Sequence, residues 1–135
     1  MSANAIQVGG DHYKSADFQP WDLIETHGLG FIEGNIVKYL TRWRKKGGVQ
    51  DLEKVRHYVL KLEELAEAGI RSPRVVGNGI GPMVLSQYFQ AHGITDFREM
   101  ILISIFCSNW TERSFSHALL LVGSLIESAS HGQEP

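Results

Sequence analysis

The sequence predicts an all-α protein, and three observations support this fold class. Apolar residues recur every three or four positions in several long stretches, which is the spacing of one buried face of an α-helix. Glycine, proline and capping residues stand where those stretches end. A chain of 135 residues with 43% hydrophobic content is also long enough to bury a core of its own. We therefore predict a central antiparallel helical hairpin, with an N-terminal glycine-rich loop and a C-terminal group of about three helices.

The predicted hairpin lies between residues 30 and 68. Lys46-Gly47-Gly48 puts basic residues in the last turn of its first helix and glycine in the turn that follows. Its second helix runs from about Asp51 to Ala68. Apolar residues on one side of each helix predict that the two helices pack together. They are Ile32, Ile36, Tyr39, Leu40 and Trp43 in the first helix, and Val55, Tyr58, Val59, Leu62 and Leu65 in the second.

The other side of the first helix is predicted to carry a cationic stripe. Five cations and no acid lie between Lys38 and Lys46, so positive charge is concentrated locally although the net charge of the chain is −2. Such a field favours a compact anionic ligand over nucleic acid, which would usually meet a whole basic face. We expect Arg42 to serve this site without touching the core. The stripe consists of Asn35, Lys38, Arg42, Lys45 and Lys46.

Glu33 departs from the apolar pattern around it. It lies beside Val37 and Leu40 on the helical wheel, away from the cations. A carboxylate there costs free energy unless a partner or a metal ion satisfies it, so Glu33 is a site candidate. Alternatively, Glu33 is a first-turn acid that the helix dipole favours and that solvent reaches.

Two further groups are candidates for ligand binding. On the second hairpin helix, Asp51, Lys54 and His57 share an edge and suit metal or phosphate chemistry, unless they are a first-turn acid and two solvated neighbours. Near the N terminus, two glycines that let the backbone approach a ligand precede four polar side chains, unless this segment is only a solvated turn. It is not a common phosphate loop, because no strand precedes it. Its residues are Gly9, Gly10, Asp11, His12, Tyr13 and Lys14.

The rest of the chain is predicted to support this region. A short helix starts at Gln19-Pro20, with Trp21, Leu23 and Ile24 on its packing side. We divide the chain into a helical hairpin region at 1–67, a linker or lid loop at 68–82, in which Arg71 or Arg74 could cover an anion, and a C-terminal region at 83–135. That last region contains helices at about 84–91, 96–108 and 112–128, with capping by Thr95 and Thr111.

The C-terminal helices are apolar nearly all round. We expect them to be buried against the hairpin and against another subunit, so that the protein is a homo-oligomer with contacts mainly from Met83 to Ser128. The apolar stretches are too short to span a membrane, and no cleavable leader is evident. The single Cys107 cannot form an internal disulfide, which favours a reducing compartment.

The first half of the chain, from about Val8 to Leu65, resembles a phage family of domains of unknown function whose characterised member, the phage T7 nucleotide kinase, lacks a phosphate loop. Many polar residues in order carry this resemblance. They are Gly9-Gly10-Asp11-His12-Tyr13-Lys14, Gln19-Pro20 with Asp22, Glu33-Gly34-Asn35, Lys38-Tyr39, Arg42, Lys45, Gly48, Asp51-Leu52, Lys54 and His57-Tyr58.

The resemblance implies a deoxynucleoside monophosphate kinase, which transfers a phosphoryl group from a nucleoside triphosphate to dTMP or dGMP in the cytoplasm of a phage-infected bacterium. Phosphoryl transfer depends on positioning and on neutralising charge. Lys38, Arg42 and Lys45 would meet the phosphates, Tyr13 or Tyr39 would stack on the base, and Glu33 or Asp51 would hold Mg²⁺ or orient the attacking phosphate. The remaining nucleotide-binding residues are those of the segment 9–14 together with Asn35, Lys54 and His57.

Two other functions fit the same residues. An all-helical, Mg²⁺-dependent nucleotide pyrophosphatase also places carboxylates on a helix pair, but it clusters several acids, whereas each hairpin helix here offers one candidate acid among many cations. A non-catalytic phage protein that binds a host factor or sequesters a nucleotide signal would carry the same residues without turnover.

Overall fold

A computed structural model describes residues 18–72 and 80–132 of the chain, together with Ala3. These residues form six α-helices and no strand, which confirms the all-α class. The predicted glycine-rich segment at 9–14 and Arg74 lie outside the described residues. None of the described helices is long and apolar enough to cross a membrane. The helices are α1 (Pro20–Thr26), α2 (Phe31–Arg42), α3 (Gly48–Glu67), α4 (Pro82–His92), α5 (Phe97–Cys107) and α6 (Glu112–Ser130).

Local sequence explains where α1 begins. Pro20 occupies its first turn, where no amide hydrogen is needed, and the carboxylate of Asp22 accepts a hydrogen bond from the Gln19 amide at 2.9 Å. Leu23 is fully buried. Trp21, which we expected on the packing side, is 48% exposed, so that part of the prediction is wrong.

A turn over residues 43–47 joins α2 to α3, and the two helices pack against each other. Helix α3 begins at Gly48, three residues before the predicted Asp51. Its first residue has φ of +57°, a conformation that glycine adopts without strain. The contact is apolar, as the spacing predicts, although Ile32 and Tyr39 are only half-buried. The residues buried in these two helices include Ile36, Val37, Leu40, Leu52, Val55, Val59 and Leu62.

The three C-terminal helices begin and end close to their predicted positions. Helix α4 ends at His92, and Gly93, which follows it, has a left-handed φ of +65°. At α5 the capping residue is Asp96 and not the predicted Thr95, since Asp96 Oδ1 accepts from the Arg98 amide at 2.8 Å. Thr111 caps α6 as predicted. Thr95 and Asp96 are adjacent candidates for the cap of α5, and spacing alone does not show which of them forms it. The carboxylate of Asp96 is the better acceptor.

The end of α2 is tied to α5 by a buried carboxylate. Glu99 is 2% exposed and accepts from the indole Nε1 of Trp43 at 2.7 Å and from Arg44 Nε at 3.0 Å. Burial raises the pKa of Glu99, while the Arg44 charge and these hydrogen bonds oppose that rise. Helix α6 packs on α3 and α5, so the C-terminal helices cover one side of the α2–α3 pair.

Aromatic contacts fix α4 to α2 and to the segment before α1. The hydroxyl groups of Thr41 and Tyr88 lie 2.7 Å apart, and the Tyr88 ring packs edge-on against Phe18 at 5.2 Å. His92 also packs on Tyr88, and its Nε2 donates to the Phe18 carbonyl oxygen. Burial lowers the pKa of His92 below its usual value near 6.5, and the Lys45 charge lowers it further, although the bond to Phe18 opposes this. The fold therefore holds a neutral imidazole here.

We predict that this histidine makes the protein less stable in mild acid. The unfolded chain binds a proton at His92 more readily than the folded chain, so stability is full above about pH 6.5 and is lost as pH falls through the lower folded-state pKa. His92→Gln keeps a donor for the Phe18 carbonyl and should flatten this part of the curve of unfolding free energy against pH. His117→Gln, at an exposed position of α6, is the control. An unchanged acid slope in His92→Gln would contradict the prediction.

Candidate functional site

The candidate site starts from an ion pair between the last turn of α2 and the first turn of α3. Arg42 Nε lies 2.9 Å from Asp51 Oδ2, and its Nη2 lies 3.1 Å from Oδ1. The Asp51 side chain is 1% exposed, and Lys54 Nζ adds a second cation 3.8 Å from its Oδ1. We expected Arg42 not to touch the core, but it pairs with a carboxylate buried between the two helices. The side of α2 that is predicted to face a ligand borders the side that contacts α3, so a long guanidinium side chain can reach both.

The turn leaves room for this pair only because residue 47 is glycine. A Cβ atom at Gly47 would lie between 2.0 and 2.2 Å from the three atoms of the Asp51 carboxylate. Its φ of −94° suits any residue, so space rather than backbone strain requires glycine here.

Three cations surround the ring of Tyr39. Arg42 Cζ lies 4.7 Å from the ring centroid, Lys54 Nζ 5.0 Å and Lys38 Nζ 5.3 Å. All three distances are within the range of cation–π attraction. Tyr58 of α3 stacks against the same ring, with centroids 6.0 Å apart and planes 17° from parallel. We call these five residues, Lys38, Tyr39, Arg42, Lys54 and Tyr58, the Tyr39 cluster.

A groove of about 380 Å³ opens beside the Tyr39 cluster. Along α3 it is lined by His57 and Lys61 in addition to members of the cluster. His57 is exposed, and Lys61 pairs with Glu64 at 3.0 Å while remaining half-exposed. Cations beside aromatic rings suit a ligand that has both anionic groups and a flat ring. Several of the predicted site residues from the two helices thus meet at one place, namely Lys38, Tyr39, Arg42, Lys54 and His57.

The other predicted site residues of α2 lie around this cluster. Asn35 Nδ2 donates to the Phe31 carbonyl oxygen at 2.8 Å, one turn earlier in the helix. Lys45 is exposed on the turn after α2. These positions leave Asn35 and Lys45 at the border of the site rather than against the Tyr39 ring.

Glu33 is fully buried and has three donors. Arg71, from the segment after α3, places Nη1 3.1 Å from Oε1 and Nη2 2.5 Å from Oε2, and Trp110 Nε1 donates to Oε2 at 3.1 Å. Glu33 does lie in the first turn of α2, as the alternative proposed, but solvent does not reach it, so that part of the alternative is wrong. The prediction that Glu33 needs a partner is confirmed.

The sequence did not indicate which residues would pair with Glu33. Arg71 was expected to cover an anion, and here the anion it contacts is a carboxylate of its own chain. Trp110 is 2% exposed, between α5 and α6. A buried indole N–H requires an acceptor, so a tryptophan three residues after the apolar run from Met100 to Cys107 was a usable signal.

Among the residues that the structure describes, the carboxylates do not gather into a metal-binding group. In residues 18–72 and 80–132, no three or more His, Cys, Asp or Glu side chains are placed to hold a metal ion. Both oxygens of Glu33 and both oxygens of Asp51 accept from guanidinium groups. A metal ion at either carboxylate would have to replace an arginine.

Comparison with known proteins gives one match. Residues 8–60 match a family described as a protein of unknown function, DUF3310. The matched range contains the segment 9–14, helices α1 and α2, and α3 as far as Leu60, and therefore the whole Tyr39 cluster. No curated protein and no solved structure matches the chain.

We predict unequal effects when the two ends of the Glu33–Arg71 pair are removed. Arg71→Met leaves a fully buried carboxylate without its charge partner and should lower the unfolding free energy by about 3–5 kcal/mol. Glu33→Gln leaves a guanidinium that is partly exposed, and it should cost only about 1–3 kcal/mol.

The double variant should be more stable than the sum of the two single effects implies, because it removes both charges. Urea unfolding followed by circular dichroism measures all three variants. Equal costs for the single variants, or strict additivity in the double variant, would show that the pair is not coupled as the geometry indicates.

We also predict opposite effects for two glycine substitutions. Gly47→Ala should destabilise the protein by about 1–3 kcal/mol, because the new methyl group overlaps the Asp51 carboxylate. Gly123→Ala is the control, since a Cβ atom there meets nothing within 4 Å in the interior of α6. It should stabilise by up to about 1 kcal/mol. Thermal unfolding compares the two, and a Gly47→Ala protein as stable as the parent would contradict the prediction.

Proposed function

We propose that this chain is a deoxynucleoside monophosphate kinase, which transfers a phosphoryl group from a nucleoside triphosphate to dTMP or dGMP. The observation that carries the proposal is the Tyr39 cluster, in which three cations lie within 5.3 Å of one ring centroid beside an open groove. Phosphoryl transfer needs positive charge held in place around the moving group more than it needs covalent chemistry. The resemblance of the first half to a nucleotide kinase without a phosphate loop supports the same conclusion.

The cluster suggests a role for each member. Lys38, Arg42 and Lys54 neutralise the phosphate oxygens, and Arg42 is held rigid by Asp51 so that its charge is preorganised. The Tyr39 ring holds the three cations close together against their mutual repulsion. Because the Tyr39 ring contacts the cations, we assign the contact with the base to Tyr58 and His57, which lie farther along the groove.

The two predicted carboxylates fit positioning roles better than metal binding. Asp51 orients Arg42, and Glu33 holds Arg71, so neither is assigned to Mg²⁺. A triphosphate in cells usually carries Mg²⁺ on its own phosphates, which would supply further charge neutralisation without a protein ligand. The residues of this chain then bind and orient the nucleotides.

The proposal includes a finer arrangement. Helices α2 and α3 act as an antiparallel hairpin, and residues 9–14 close over the nucleotide as a glycine-rich loop. We propose that the kinase acts in the cytoplasm of a phage-infected bacterium. We also propose a homo-oligomer, because the predicted contact region exposes several large apolar side chains. They are Met83, Phe97, Ile101 and Leu120.

One incubation separates this function from the alternatives. The protein is mixed with ATP and dTMP or dGMP, and the products are separated by ion-exchange chromatography. A kinase yields ADP and a deoxynucleoside diphosphate. Pyrophosphate released from a triphosphate alone would indicate a pyrophosphatase, and unchanged but bound nucleotides would indicate a non-catalytic binding protein. Either of these results would overturn the proposal.

We predict that Lys54→Met reduces kcat/KM at least tenfold, because it removes one of three charges around the Tyr39 ring. Arg56→Met is the control. It removes one cation from an exposed position of the same helix, and it should stay within threefold of the parent. Steady-state rates at varied ATP concentration give both values. Equal losses in the two variants would mean that only the overall charge matters and that the cluster is not the site.

A further inference from the structure

A second groove lies on the other side of α2, between that helix and α1. Its volume is about 270 Å³, compared with about 380 Å³ for the groove at the Tyr39 cluster. Glu25 lines it from α1, and Phe31, Asn35 and Lys38 line it from α2. The helices approach closely there, because a Cβ atom at Gly34 would lie 3.2 Å from Ile24.

The lining of this groove suits a ligand with one anionic group. It offers one ammonium, from Lys38, and one carboxylate, from Glu25 on the opposite wall, which can accept from a hydroxyl or amino group. Asn35 adds a side-chain oxygen that can accept from a base. Phe31 is 78% exposed and presents a ring on which a base can stack.

The other groove has a different charge. Lys54 and Lys61 both line it, and Arg42 borders it through the Tyr39 ring. Among the described residues, the charged side chains that line this groove are all cations, although Glu64 pairs with Lys61 and Asp51 lies beside Lys54. Such a lining suits a ligand with several phosphates, whereas one lysine facing one acid suits a ligand with a single phosphate. The larger volume also belongs to the more cationic groove.

Lys38 belongs to both places. It lines the smaller groove, and its Nζ lies 5.3 Å from the centroid of the Tyr39 ring in the cluster beside the larger one. A phosphate in each groove would therefore meet at the same ammonium group. Transfer between two nucleotides requires their phosphates to be brought together in this way.

We infer, on the basis of the proposed function, that the α1–α2 groove binds the deoxynucleoside monophosphate acceptor and that the groove at the Tyr39 cluster binds the triphosphate donor. An oxygen of the acceptor phosphate attacks the γ-phosphorus, and the bond from the γ-phosphorus to the β–γ bridging oxygen breaks. The electron pair of that bond stays on the oxygen of the departing nucleoside diphosphate. Two diphosphates result, and no further reactant is needed. Lys38 neutralises charge on both sides of the transferred group.

Equilibrium binding tests this assignment separately from turnover. Isothermal titration calorimetry of the full chain with dTMP or dGMP is done with and without a non-hydrolysable ATP analogue at saturation. Phe31→Ala should weaken dTMP or dGMP binding at least tenfold and leave the analogue within threefold. Lys61→Met should do the reverse.

Phe97→Ala is a matched control, because Phe97 is also the first residue of its helix and is also 78% exposed. It should change neither affinity. The assignment is overturned if the analogue displaces the monophosphate, or if Phe31→Ala weakens both ligands equally. Independent binding of both ligands without transfer would overturn the proposed function and keep the two-groove assignment, whereas no binding of either would overturn both.

Discussion

The pair between Arg42 and Asp51 is the constraint on which the candidate site depends. A carboxylate that is 1% exposed must have a charge partner, and Arg42 supplies two hydrogen bonds to it. The pair fixes the angle between the end of α2 and the start of α3, and it requires glycine at position 47. It also fixes the guanidinium 4.7 Å from the Tyr39 centroid. A cation that already has a structural partner cannot swing away, so the geometry of the site is set before a ligand arrives.

Among the described residues, three buried ion pairs of the same kind lie around α2. Glu33, Asp51 and Glu99 are buried carboxylates, and each pairs with an arginine from a different place in the sequence. A buried ion pair adds little net stability, because desolvation offsets the attraction, but removing one partner is costly. The three pairs therefore specify which surfaces meet. They bring the segment after α3, the first turn of α3 and the start of α5 to the one helix that carries the cationic stripe.

Periodicity and breakers were sufficient to predict the fold class and the approximate ends of the helices, since both depend on residues within one or two turns. The same spacing placed Lys38 and Arg42 on one side of α2. It assigned Tyr39 to the opposite, apolar side and did not connect Lys54 with these residues, so the grouping around the Tyr39 ring was not predicted. Nor could the spacing provide the partner of Glu33, because Arg71 and Trp110 lie 38 and 77 residues away and nothing local selects them. The spacing also assigned Arg42 only to ligand binding, although this side chain pairs with Asp51 as well. A helical wheel shows the direction of a side chain but not how far it extends.

These contacts bear on how independent the matched segment is. Residues 8–60 contain the whole Tyr39 cluster, and of the residues that line its groove Lys61 lies just beyond that range. The donors to Glu33 are outside it, however, and so is Glu99, which accepts from Trp43 and Arg44 at the end of α2. A segment ended at residue 60 would lack the donors to Glu33 and the acceptor of Trp43, and it would expose the sides of α2 and α3 on which α5 and α6 pack. In this chain the later helices are therefore part of what holds α2 in position, even though the proposed ligand-binding residues precede them.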